Sequence, residues 1–130
     1  MKIQRDAKAG TSFILANIRS LRNQINAGRL FMELEAHQPD LILITETWLD
    51  ESTQEVVIPG YRSIARRDRR GSKANGCVEI FAKDGFWNVG VHSISETAER
   101  AWVTLHTETG PILVGVWYRP TRKATKSQFP

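Results

Sequence analysis

Apolar residues fall in short runs along this chain, and the period of each run sets the element it predicts. Leu41 to Thr45 reads Leu-Ile-Leu-Ile-Thr with no Gly or Pro inside, the pattern of a strand buried on both faces. Pro39-Asp40 breaks the chain before it, and Asp50-Glu51-Ser52 breaks it after Trp48-Leu49. Ser12 to Ile18 predicts another strand, with Asn17 near its end. Between the two, residues 26–37 follow a helical period: Leu30, Phe31 and Leu34 share a face, and Glu33 and Glu35 turn away. Gly28 weakens the first turn, and Gln38-Pro39-Asp40 stops the helix. A strand, a crossover helix and a strand make one α/β unit.

Beyond residue 58 the pattern changes to a run of hairpins. Strands are expected at Tyr61–Ala65, Cys77–Ala82, Phe86–Ile94, Arg100–Thr107 and Ile112–Tyr118. Turn signals separate them: Asn75-Gly76, Lys83-Asp84-Gly85 and Glu108-Thr109-Gly110-Pro111. The fold class is therefore α/β (α+β), a mixed sheet with few helices. Residues 1–11 read as a polar tail, 12–120 as the domain and 121–130 as a basic tail. One helix covers part of one sheet face, and little in the chain is left to cover the other. The helix residues Phe31 and Met32, and the tryptophans Trp48, Trp102 and Trp117, are expected to pack in the core or on the sheets.

Bulk numbers narrow the function classes. A chain of 130 residues, 41% hydrophobic and 25% charged, suits one small domain and not a disordered segment. No apolar run approaches a membrane span, and the charged start lacks an apolar signal core. An intracellular setting, cytoplasmic or nuclear, is the expectation. The single Cys77 excludes an internal disulfide and reads as a small buried hydrophobe. His37, His92 and His106 are scattered, which argues against zinc. Net charge is +4, unevenly spread: residues 30–60 hold seven Asp/Glu and no Lys/Arg, and basic stretches flank them. That pattern suits a cation site beside a phosphate-binding surface, and equally suits solvated faces of alternating sign.

Three polar residues stand at the ends of apolar strands: Asn17, Glu46 and Tyr118. A charge at a buried strand end must be paired, bind a metal or face water. With their flanks these residues resemble the endonuclease/exonuclease/phosphatase family. The matching pieces are Asn17-Ile18-Arg19-Ser20-Leu21, Pro39-Asp40 with Leu43-Ile44-Thr45-Glu46-Thr47-Trp48-Leu49, and Ile58-Pro59-Gly60-Tyr61. They continue with Arg66-Arg67-Asp68-Arg69, Gly76-Cys77-Val78-Glu79-Ile80 and Gly115-Val116-Trp117-Tyr118-Arg119-Pro120. Their order looks like the endonuclease domain of non-LTR (LINE-like) retrotransposons.

The resemblance implies a two-sheet α/β sandwich that cleaves phosphodiesters with a divalent metal, usually Mg²⁺. It implies Glu46 as metal ligand, Asn17 beside the phosphate or a metal-bound water, and Tyr118 as a hydrogen-bond donor to the scissile phosphate. DNA would be the partner. Charge adds Arg66, Arg67, Arg69, Arg70 and Lys73 as candidate contacts to its backbone. The family's later Asp-x-Asn and Asp-His pairs do not follow Tyr118, so the chain is expected to be the N-terminal half of the domain. The second sheet, the C-terminal half and a reverse transcriptase of the parent polyprotein would then lie elsewhere, and the chain alone would be inactive. A catalytically dead remnant that binds nucleic acid weakly, or a phosphodiesterase of another branch, are the alternatives. Two positions depart from the family pattern: Cys77 stands where a Gly is usual, and Glu79 places a charge in an apolar strand.

Overall fold

The structure, a computed structural model, describes residues 10–49, 56–68 and 77–119. The elements run β1 (Phe13–Asn17), α1 (Gln24–His37), β2 (Leu41–Thr45), β3 (Tyr61–Arg67), β4 (Val78–Lys83), β5 (Val89–Ile94), β6 (Arg100–Thr107) and β7 (Gly110–Trp117). They form two sheets, ordered β1-β2-β4-β3 and β5-β6-β7. β1 and β2 are parallel, as a helical crossover requires, and every other pairing is antiparallel.

The second sheet corrects the expectation that this half of the sandwich would be missing. The cause is the turn after β4. Gly85 adopts φ 88°, and Phe86 N–H donates to the Lys83 carbonyl at 2.9 Å, which folds the chain back over the first sheet. Ala101, Val103, Leu105 and Val116 then alternate onto one face and pack against Leu41, Leu43, Val78 and Ile80. Leu41, Ile42 and Ile44 are fully buried because β2 is sandwiched between this core and α1.

The helix starts earlier than its hydrophobic period suggested. Asn23 caps it, its side chain accepting the N–H groups of Ile25 (3.0 Å) and Asn26 (3.1 Å). Leu30 and Leu34, one turn apart, are its buried residues, at 4% and 6% exposure. Phe31 is displaced about 100° round the axis from Leu30 and is partly exposed, and Met32 is exposed, so neither is core. Trp102 and Trp117 also lie outside it, on the outer face of the second sheet. Trp102 covers Gly115 so closely that a Cβ there would sit 2.5 Å from its ring.

Both departures from the family pattern have structural counterparts. Cys77 is fully buried with φ 79°, a region that favours glycine, and its Sγ approaches the Leu49 carbonyl at 3.1 Å. Glu79 is fully buried in β4, in register with Ile44 and Arg66, and accepts the Ser63 hydroxyl at 2.7 Å. The Asn75-Gly76 turn signal lies outside the described residues.

Candidate active-site rim

β1 and β2 run side by side and end together, with Asn17 in register with Thr45. Glu46 follows at once, and its backbone leaves the strand at φ 56°. That bend is pinned on both sides. Glu46 N–H donates to the Cys77 carbonyl at 2.8 Å, and the Glu46 carbonyl accepts Ser20 N–H at 2.9 Å. Leu21 N–H then donates to the Thr47 carbonyl at 2.9 Å, so the loop after β1 is tied to the loop after β2.

Tyr118 arrives from the opposite sheet. It lies just past β7, where its N–H donates to the Glu99 carbonyl at 2.9 Å. Its hydroxyl donates to Glu46 Oε1 at 3.0 Å, which joins the two sheets at one end of the sandwich. Arg19 Nε lies 3.8 Å from Glu46 Oε2. Arg19 is 75% exposed and the Glu46 side chain only 14%, so this ion pair is loose and screened and adds little stability. Asn17 is exposed at the same sheet end, beside a groove of about 360 Å³ between β1 and α1 that Arg29 and Asn26 also line. The structure thus brings Glu46 and Tyr118 into contact and sets Asn17 one strand away.

Backbone strain gathers on this rim. Six described non-glycine residues have positive φ, and five of them are Arg19, Ser20, Glu46, Trp48 and Cys77. Each such residue costs on the order of 1 kcal/mol, and such strain is typical of functional loops. The sixth, Gln38, is the ordinary left-handed cap of α1.

Among the described residues no three His, Cys, Asp or Glu side chains converge as metal donors. Glu46 offers one hard carboxylate at the rim. Mg²⁺ is commonly held by one or two carboxylates, with water and substrate phosphate completing its shell. The residues present fit that role as a single protein ligand, not as a closed cage.

The basic stretch divides. Arg66 makes a two-point contact with Asp68, at 2.7 and 2.8 Å, and this hydrogen bonding raises its pKa above the ordinary arginine value. Arg67 is 8% exposed, and its guanidinium donates to the carbonyls of Ser95 (2.7 Å), Glu96 (3.4 Å) and Asp68. Arg67 thereby links β3 of the first sheet to the loop between β5 and β6 of the second. Both side chains are engaged in holding the fold. Arg69, Arg70 and Lys73 lie outside the described residues.

Two contributors to the rim were not singled out from sequence. Glu99 holds it from below, its carboxylate accepting Cys77 N–H at 3.1 Å. Arg19 lies within a motif-like stretch that directs attention to Asn17 instead. A lone acid in a turn carries no periodic signal, so Glu99 was not visible in the sequence.

No protein-family model and no curated protein sequence matches the chain. Several solved structures share its fold, two endonucleases among them. The AP endonuclease LMAP from Leishmania major superposes with a TM-score of 0.64 at 20% identity, over 83% of this chain and 40% of that one. The endonuclease domain of TRAS1, a telomere-specific non-LTR retrotransposon, superposes with a TM-score of 0.61 at 16% identity, over 90% of this chain and 49% of that one. This chain spans less than half the length of either. At these identities the likeness is one of fold: the mixed α/β arrangement of two sheets and one helix among the described residues is that of the endonuclease/exonuclease/phosphatase fold. No helix of the described residues is long and apolar enough to cross a membrane.

Proposed function

We propose that this chain contributes the carboxylate rim of a divalent-metal-dependent phosphodiesterase that nicks DNA, with Glu46 as the metal ligand. The observation that carries the reading is the Tyr118–Glu46 hydrogen bond across the sandwich, 3.0 Å long, on a bend held at positive φ. Such a bend is maintained against its own strain only when surrounding bonds over-determine it. The backbone ties from Ser20 and Cys77 do so. The two solved structures compared above are of endonucleases, and the reading extends that activity to this chain.

Mg²⁺, when bound, would polarise the phosphate and neutralise charge as it develops. Glu46 would hold it. Tyr118 orients the carboxylate in the resting chain, and its hydroxyl lies within reach of a phosphate oxygen placed at the same rim. Asn17 offers a neutral amide and carbonyl beside them. The general base and the other phosphate-polarising groups would come from the rest of the domain. In the retrotransposon reading, that domain would adjoin a reverse transcriptase in the parent polyprotein.

Binding to duplex DNA tests the proposal. Affinity is expected to rise with Mg²⁺ and to lose that dependence in Glu46→Ala. Affinity indifferent to Mg²⁺ in the unaltered chain would overturn it. Supercoiled plasmid incubated with the chain and Mg²⁺ tests the division of labour. The plasmid is expected to stay supercoiled. Nicking that Glu46→Ala abolishes would place a complete centre within these residues.

A further inference from the structure

One sequence motif takes no part in the rim. Ile58-Pro59-Gly60-Tyr61 carries Pro and Gly at the two central positions of a type II turn. The structure closes that turn: Tyr61 N–H donates to the Ile58 carbonyl at 3.0 Å, with Gly60 at φ 84°. The turn, the last turns of α1 and the end of β4 together line a groove of about 510 Å³. The groove lies at the start of β2, roughly 20 Å along that strand from Glu46.

Its apolar lining is an exposed continuation of a core. Leu34 and Ile58 belong to the cluster between α1 and the first sheet, and Phe31, left 39% exposed on α1, borders them with Pro59 and Tyr61. Backbone bonds fix the walls. Lys83 N–H donates to the Asp40 carbonyl at 2.8 Å, and Asp84 N–H donates to the Gly60 carbonyl at 2.9 Å. The Lys83 carbonyl accepts the Arg62 guanidinium at 3.0 Å, and the Tyr61 hydroxyl donates to the Pro39 carbonyl at 2.7 Å. Walls held this way cost a ligand little ordering.

The groove carries one charge of each sign. The Lys83 ammonium donates to Gln38 Oε1 at 3.2 Å, and among the described residues no carboxylate pairs with it. An ammonium has three donors, so two remain for an anion. Glu35 lines the same groove from α1 and pairs with no described cation. A ligand matching both needs a carboxylate on the β4 side and N–H donors on the α1 side. A polypeptide supplies both, whereas a fatty or aromatic acid offers Glu35 nothing. A benzene-sized group fills roughly 150 Å³, so the groove takes two or three such groups and not one ring alone.

We infer that this groove is a docking site for an extended segment of a partner polypeptide, with two apolar side chains at alternate positions followed by an acidic residue. Its apolar side chains would cover Phe31, Leu34 and Ile58. Its carboxylate would pair with Lys83, and its backbone N–H groups would face Glu35. A partner held there leaves the Glu46 rim open, so the site tethers without blocking.

The test is titration of the 130-residue chain with a capped peptide, acetyl-Leu-Ser-Phe-Asp-Asp-amide, followed by amide NMR shifts. Shifts are expected at Leu34, Gly60, Tyr61 and Lys83, saturating with peptide. Phe31→Ala is expected to weaken binding about fivefold or more. Lys83→Met, which keeps the stem, is expected to weaken it about two- to fivefold. The same peptide with Asn for both Asp is expected to bind the unaltered chain and Lys83→Met equally, since the charge pair is then absent from both. Four results would overturn the inference. One is no shift at these amides at about 1 mM peptide, a concentration that half-fills a millimolar site. A second is a Lys83→Met effect of the same size with the Asn peptide. A third is decanoate shifting the same amides at lower concentration than the peptide, which makes a simple amphipathic acid the ligand. The fourth is shifts that appear on concentrating the chain alone, which makes a second copy the occupant. The readout needs neither metal nor DNA, and Glu46→Gln is expected to leave it unchanged, so it stands apart from the proposed activity.

Discussion

Replacing Arg67 by Ala separates a structural arginine from a DNA-binding one. Its guanidinium donates to the Ser95 carbonyl at 2.7 Å, to the Asp68 carbonyl and, more weakly, to the Glu96 carbonyl at 3.4 Å, in a site only 8% exposed. A hydrogen bond to a charged group contributes about 1.5 kcal/mol net, and two such bonds give about 3 kcal/mol. Lost packing of the aliphatic stem adds to this, and collapse of the site offsets part of it. Urea unfolding followed by circular dichroism measures the change. With a slope of about 1.5 kcal/mol per M for a domain of this size, the midpoint is expected to fall by about 2 M. Arg67→Met, which keeps the stem, is expected to recover a minor part. DNA binding by the folded variant is expected to keep its salt dependence, whereas loss of a phosphate contact would lower the slope by about one. A midpoint shift under about 0.5 M together with a reduced slope would refute the assignment of Arg67 to the fold.

Three further substitutions probe features on which the rim depends. Asn23→Ala removes the cap that accepts two N–H groups at 3.0 and 3.1 Å, and a loss of about 1 kcal/mol is expected by the same unfolding assay. Gly115→Ala places a methyl 2.5 Å from the Trp102 ring, so a loss of about 1–2 kcal/mol and a shifted tryptophan emission are expected. Cys77→Gly is expected to be more stable than Cys77→Ala by about 1 kcal/mol, because φ is 79° there and only glycine adopts that angle without strain. Equal stability of the last pair would mean that the bend relaxes.

The strands of this fold were largely legible because their apolar runs match what they bury. β2 is buried on both faces and reads as an unbroken run, and β6 coincides with its predicted bounds, Arg100–Thr107. The second sheet was not legible as a separate layer. Hairpin patterns show which residues alternate, but not whether a turn continues a sheet or folds over it. The turn at Gly85 decides that through backbone angles. Helix residues Phe31 and Met32 misled for a related reason: hydrophobicity alone does not say which 100° sector faces the sheet, and Leu30 and Leu34 take it.

The site was partly legible. Glu46 and Tyr118, 72 positions apart in sequence, meet because they end strands in opposite sheets. Cys77 and Glu79 signalled tension at the sequence level, and both occupy fully buried positions. Arg66 and Arg67 read as a basic surface because composition does not reveal burial. The structure ties one to Asp68 and the other to backbone carbonyls.

Paramagnetic relaxation by Mn²⁺, followed in the NMR spectrum of the 130-residue chain, tests whether Glu46 is a metal-binding carboxylate, as proposed. Broadening is expected to be confined to amides around Asn17, Glu46 and Tyr118, removed by Glu46→Gln and competed by Mg²⁺. Broadening centred elsewhere, on Glu33 and Glu35 of α1 for example, or broadening that survives Glu46→Gln, would contradict it.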